Sequence, residues 1–171
     1  MHFMYCPVCG SKLAGRVLGD EGMVPWCESC NRPWFDMFST CVIVLAVAPD
    51  GRVALLKPAD RDYQYKTLVS GYMKPGECAE DCARREVEEE IGIRLGKLRL
   101  METVWFPRGE MLMIAFIGYA ESSHMTLSVE VEEAGWFTAE EAITQVHPKG
   151  PGNASHLLVE RYLNEIRAGK A

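Results

Sequence analysis

The chain has 171 residues, 48% apolar and 25% charged, with a formal net charge of -6. That length suits one main domain with a small appendage, and the acidic balance argues against an extended basic surface for a nucleic-acid backbone. The longest apolar run, residues 41–48, is too short to span a bilayer. No N-terminal stretch has the basic start and apolar core of a signal peptide, so a cytoplasmic protein with no membrane partner is expected.

In chain order, Cys6-Pro7-Val8-Cys9 and Cys27-Glu28-Ser29-Cys30 form two C-x2-C pairs with seventeen residues between them. Each pair makes a tight turn that aims two sulfurs at one point, and four thiolates close a tetrahedral structural Zn²⁺ site. The expectation is a zinc ribbon over residues 1–37, held by metal where a core is lacking. Disulfides are the weaker alternative in a reducing compartment. Catalytic zinc is disfavoured, since four sulfurs leave no open position. Residues 31–38 (NRPWFDMF) form a joint, where Trp34 and Phe35 are expected to pack the ribbon on the next domain or on a second subunit.

The main domain is expected over residues 38–171. Residues 39–48 read as a central strand, 49–52 as a hairpin turn and 53–57 as the return strand. A polar loop over 57–65 leads to a short strand, 66–70, that delivers the chain into Gly71. Pro75 and Gly76 open a helix over 77–91, which Gly92 stops as a left-handed cap. Strands follow at 97–106, 111–120 and 134–137, with a turn at 107–110 and a loop at 121–129. Thr138 and Glu141 make a capping box for a short helix. A last amphipathic helix, 154–168, buries Leu157, Leu158, Tyr162 and Ile166. Strands mixed with helices on both sides predict a three-layer α/β/α sandwich with a mixed sheet.

On the helix after Pro75, Glu86, Glu89 and Glu90 fall within an arc of about 100°. Ala79, Cys82 and Ala83 lie on the same side, whereas Asp81, Arg84 and Glu88 point to solvent. Three carboxylates gathered on a close-packed face repel one another unless a cation, most simply a hard divalent one, sits among them. The plainer reading is a solvated acidic surface. Gly71 and Gly76 are read as backbone turns that a side chain would hinder. Glutamates at i, i+3 and i+4 offer oxygen ligands for cations and a carboxylate base from one rigid element.

The wider spacing is more specific. Gly71, five residues, Glu77, seven residues, then REVEEEIGI over 85–93 resembles the Nudix box at every fixed position. Seven prescribed residue types would match by chance on the order of once in 10⁸ windows. The resemblance implies a Nudix hydrolase that splits a nucleoside diphosphate linked to another moiety, using Mg²⁺ or Mn²⁺. It implies metal-binding and catalytic roles for Glu86, Glu89 and Glu90, and an Arg85–Glu77 pair that ties loop to helix.

A zinc ribbon ahead of such a domain resembles the NADH pyrophosphatase branch, which cuts NAD(H) to nicotinamide mononucleotide and AMP. That likeness implies a further metal ligand at Glu130, in the run EVEEAGW over 130–136. It also implies a metal contact at the Ser70 backbone carbonyl, ring stacking on Tyr72, and a homodimer. Trp105, Phe106 and Arg108 are candidates for touching a base, against the alternative that the two aromatics are core. The branch carries Ser-Gln-Pro-Trp and Pro-Phe-Pro after the box; residues 101–107 read METVWFP and keep only Trp-Phe-Pro. ADP-ribose or another nucleoside diphosphate derivative is therefore the alternative substrate. The branch can also remove an NAD cap from RNA, although the acidic charge disfavours long RNA contacts. A reading of another class is a nucleotide sensor without catalysis, whose ribbon contacts a partner or nucleic acid.

Overall fold

The computed structural model describes residues 3–59 and 64–169. The chain divides into two compact units, Met1–Phe38 and Ser39–Ala171.

The first unit is a ribbon of three short antiparallel strands, β1 (Ala14–Val17), β2 (Met23–Cys27) and β3 (Arg32–Pro33), in the order β1-β2-β3. Its small interior consists largely of Val24, Cys6 and Cys27. Gly10 takes φ +73°, and its N–H donates to the Cys6 carbonyl at 2.9 Å, which closes the first cysteine turn. Trp34 packs within its own unit: its ring centroid lies 5.6 Å from that of Phe3, and the Arg32 guanidinium sits 4.5 Å above it. Arg16 covers Trp26 in the same way at 4.3 Å. Phe35 is exposed.

The second unit is built on a mixed sheet in the order β7-β8-β4-β5-β9, with β6 pairing β4 off that path. Its strands are β4 (Ser39–Val47), β5 (Val53–Pro58), β6 (Val69–Tyr72), β7 (Leu95–Phe106), β8 (Met111–Ala120) and β9 (Val131–Phe137). Only β4 and β8 run parallel among these pairs; the others are antiparallel. Strand β4 is apolar without alternation because both of its faces are covered. Val42, Val44 and Ala46 pack beneath α1 (Ala79–Ile91), with Val87 and Ile91. Ile43, Leu45 and Val47 pack under α2 (Ala139–Gln145) and α3 (Ala154–Arg167), with Ala142, Leu158 and Tyr162. The result is the expected α/β/α sandwich. No helix among the described residues is long and apolar enough to cross a membrane.

Several boundaries differ from the sequence reading for identifiable reasons. Helix α1 starts at Ala79 with Cys78 as its N-cap, because the Glu77 side chain turns back to accept from the Lys74 N–H at 3.0 Å. The strand expected over 66–70 is β6 at Val69–Tyr72, so Gly71 lies inside a ladder, opposite Val42. Gly76 does take φ +86°, but Gly71 does not need a left-handed backbone. What it needs is space: a Cβ there would collide with the Glu86 carboxylate. Arg84 is half-buried and donates to the Leu95 carbonyl instead of facing solvent. Ile166 is exposed, and Val159 and Leu163 are buried on α3 in its stead. The loop expected over 57–65 falls partly on residues 60–63, outside the described residues.

Candidate metal and phosphate-processing sites

In the ribbon, the four ligand sulfurs of Cys6, Cys9, Cys27 and Cys30 lie within 4.8 Å of one another. The Cys6–Cys30 sulfurs are 3.8 Å apart and the Cys9–Cys27 sulfurs 3.5 Å. Both separations are far too long for a disulfide, which is about 2.05 Å. They are close to the edge of a tetrahedron drawn around an ion with bonds of about 2.3 Å. The Cys30 N–H also donates to Cys27 Sγ at 3.3 Å, a backbone contact suited to a thiolate. The thiols differ in acidity. Cys9, whose Sγ is hydrogen-bonded to the Ser11 hydroxyl at 3.4 Å, is lowered to about 6, whereas Cys30, beside the Cys9 sulfur and desolvated, is raised to about 12. This donor set fits Zn²⁺.

The second site is assembled by α1 and the strand before it. Arg85 is the hub. Its Nε donates to Glu77 Oε1 at 2.7 Å and its Nη2 to Glu77 Oε2 at 2.9 Å, a two-pronged bond that fixes the loop to the helix. Nη1 donates to Glu86 Oε1 at 2.6 Å and to Glu89 Oε2 at 2.9 Å, and Nη2 also reaches the Tyr72 carbonyl at 3.2 Å. The expected Arg85–Glu77 pair is present, but Arg85 also sits between two of the glutamates. It supplies part of the positive charge that their crowding requires. Glu77 is correspondingly held at about 2, chiefly by the Arg85 bond and then by the Lys74 N–H.

Glu90 has no such help. Its Oε2 is buried without a hydrogen-bond partner, and its carboxyl is raised to about 8 by burial first and then by the charges of Glu86, Glu130 and Glu89. An orphaned carboxylate oxygen facing three more carboxylates is a site that a divalent cation would satisfy. The carboxylate set is looser than the cysteine set. Among the described residues, only the four cysteines bring three or more donor atoms within 4.8 Å of one another, and Arg85 holds Glu86 and Glu89 toward itself. Lys74, which the sequence reading passed over, has its Nζ 3.8 Å from Glu89 Oε1.

Glu90 and Glu130 line a cavity of about 720 Å³, together with Ser70, Gly71 and Tyr72 from β6 and Cys41, Met111 and Met113 from β4 and β8. It opens where β4 exchanges partners, pairing with β6 along its first half and with β5 at Val47. Glu130 is exposed, with its N–H bonded to Ser128 Oγ at 3.2 Å. Tyr72 is 61% exposed at the cavity edge. Trp105, Phe106 and Arg108 are not among the lining residues. Strand alternation puts Trp105 and Phe106 on opposite faces of β7, and Arg108 is exposed in a 3-10 turn, Pro107–Gly109. No signal in a single sequence would have found the sulfur-bearing residues, because their meeting depends on the parallel register of β4 and β8.

A layered fold with a glutamate-bearing helix against a cavity at a strand split defines the class, and comparison agrees. The family model for the NUDIX domain matches residues 37–158, and the chain belongs to the Nudix family. The NAD-capped RNA hydrolase NudC of Pseudomonas syringae pv. tomato is 31% identical over 164 residues, covering 94% of this chain and 56% of that protein. NudC of Photobacterium profundum is 29% identical over 167 residues, covering 97% and 60%. The human NAD-capped RNA hydrolase NUDT12 is 29% identical over 148 residues, covering 82% and 32%. The chain thus spans well under two thirds of the length of these curated relatives. Among solved structures, a NUDIX hydrolase from Nitrosomonas europaea superposes with a TM-score of 0.74 at 21% identity, covering 98% of this chain and 94% of that one. This last likeness speaks to the fold.

Proposed function

We propose that the chain is a metal-dependent pyrophosphohydrolase acting on a nucleoside diphosphate derivative, with NAD(H) or an NAD-like end as substrate and nicotinamide mononucleotide and AMP as products. The observation that carries this reading is the buried, unpartnered Glu90 carboxylate among Glu86, Glu89 and Glu130, at one end of a nucleotide-sized cavity. The names of the relatives support the NAD-like substrate, including NAD-capped RNA; ADP-ribose or another nucleoside diphosphate derivative is the alternative.

Glu86, Glu89, Glu90, Glu130 and the Ser70 carbonyl are the groups assigned to hold Mg²⁺ or Mn²⁺. When bound, the metal supplies charge neutralisation for the pyrophosphate oxygens. Glu89, the more exposed of the two glutamates on Arg85 at 54% against 13% for Glu86, accepts the proton as water attacks phosphorus and the bridging P–O bond breaks. Arg85 and Glu77 position these carboxylates. Tyr72 offers a ring face to the substrate; Trp105, Phe106 and Arg108, outside the cavity lining, are secondary candidates for that contact. Residues 1–37 form the structural zinc module and 38–171 the hydrolase domain, within a homodimer.

The test is product analysis of NADH, ADP-ribose, a dinucleoside polyphosphate and one NAD-capped RNA with Mg²⁺ or Mn²⁺. Phosphoanhydride cleavage is expected, falling by roughly 10²- to 10⁴-fold in Glu90→Gln with the far-UV spectrum unchanged. Full activity in Glu90→Gln would reject the site. Tight binding of the panel without cleavage would reject the hydrolase and favour a sensor.

A further inference from the structure

Two basic side chains face the glutamates, and they are held very differently. Arg85 donates to both oxygens of Glu77, to Glu86, to Glu89 and to the Tyr72 carbonyl, and its side chain is 20% exposed. Lys74 is 63% exposed, and its Nζ stands 3.8 Å from Glu89 Oε1, an ion pair longer than a hydrogen bond. Arg85 Nη1 takes the other oxygen, Glu89 Oε2, at 2.9 Å. Each oxygen of Glu89 therefore faces a cationic side chain, whereas Glu90 Oε2 is buried without a partner.

The root of Lys74 is fixed while its tip is loose. Its N–H donates to Glu77 Oε2 at 3.0 Å, and its carbonyl accepts from the Glu77 N–H at 3.1 Å. Glu77 is in turn clamped by Arg85, so the backbone at Lys74 is tied to the helix. The ammonium, by contrast, is a point charge on a flexible four-carbon stem. An exposed pair at that separation contributes little and is readily exchanged. A divalent cation among Glu86, Glu89 and Glu90 repels an ammonium on the same carboxylate. Arg85, with all three of its nitrogens engaged, cannot make way. Lys74 can. Pyrophosphate oxygens gathered by that cation bring negative charge beside the place the ammonium leaves.

We infer that Lys74 is a positioning residue: its ammonium holds Glu89 in the unloaded site, yields that carboxylate to the catalytic cation and turns to the substrate's phosphate. Cation and phosphate binding are then coupled through one side chain. This rests on the proposed hydrolase reading, yet it is tested without turnover. Mn²⁺ binding to the full chain is followed by the electron paramagnetic resonance signal of the free ion. Binding of methylenediphosphonate, a pyrophosphate analogue with no bridging oxygen, is followed by calorimetry at saturating Mn²⁺. Lys74→Met is expected to bind Mn²⁺ about twofold to fivefold more tightly than the unaltered chain, and the diphosphonate about threefold to tenfold more weakly. Lys74→Arg, which keeps the charge, is expected to stay within about twofold of the unaltered chain in both measurements. A side chain that merely braced the loop would move both affinities the same way. An unchanged affinity of Lys74→Met in either measurement, or two changes of one sign, would overturn the inference. Glu90→Gln, measured alongside, is expected to weaken Mn²⁺ binding by about tenfold or more. Mn²⁺ binding that is absent, or unaffected by Glu90→Gln, would remove the metal site and the inference with it. Impaired binding in Glu90→Gln beside an unaffected Lys74→Met would overturn the role of Lys74 alone.

Discussion

At the scale of single residues, the glutamate site is a matter of charge kept in place by one guanidinium. Glu77 falls to about 2 on folding, against an ordinary value of 4.5. A carboxyl lowered in this way adds stability that is complete above its unfolded value and fades as pH falls from about 4.5 toward 2. Glu77→Gln is therefore expected to melt earlier at neutral pH, and to show a shallower loss of melting temperature over that acid range than the unaltered chain. Equal acid limbs in the two proteins would show that the Glu77–Arg85 bond has no such role. Gly71 makes a different demand. Gly71→Ala would force a methyl group against the Glu86 carboxylate, at a cost of about 1–3 kcal/mol and with Glu86 displaced. Denaturant unfolding should record that loss, and cleavage should fall with it.

At the scale of elements, local chemistry sets some boundaries and distant pairing sets others. The Thr138 side chain accepts from the Glu141 N–H at 3.2 Å, and the Glu141 carboxylate accepts from the Thr138 N–H at 2.9 Å. Thr138→Ala is expected to cost about 1 kcal/mol, a fall of about 2–4 °C in melting temperature, measurable by calorimetry. That cap was legible in the sequence because its partners are three residues apart. So was the end of α1, where Gly92 takes φ +68° and its N–H donates to the Glu88 carbonyl. The start of β6 was not, because its ladder is set by β4, about thirty residues earlier. Strand β9 likewise begins at Val131, three residues before the expected start, since its acidic first residues are held by pairing with β5 and by the Lys57–Glu132 and Lys66–Glu133 ion pairs. The glutamate stripe could be read from helical spacing, whereas the burial of Glu90 and the contact of Cys41 Sγ with Met111 Sδ at 3.4 Å depend on tertiary register.

At the scale of the whole molecule, the two units hold together by different means. The second unit has two hydrophobic clusters flanking β4, but among its described residues the ribbon buries Val24 as its one apolar side chain besides cysteines. One Zn²⁺ per chain is expected by elemental analysis. Its removal by a thiol reagent and chelator should abolish hydrogen-exchange protection across β1 and β2 while leaving protection in β4 and β8 intact. Loss of protection throughout, or none at all, would contradict that division.

Strand β4 also ties the two sides of the cleft to each other. Its side chains alternate, Val42 and Val44 toward the acidic helix and Ile43 toward α3, with Cys41 on the same face as Ile43. A slip of one residue against β6 would turn both sides inside out together, placing a thiol beneath the carboxylates and a valine where Cys41 meets Met111. The two halves of the cleft therefore cannot drift apart in alignment; whatever keeps one in phase keeps the other.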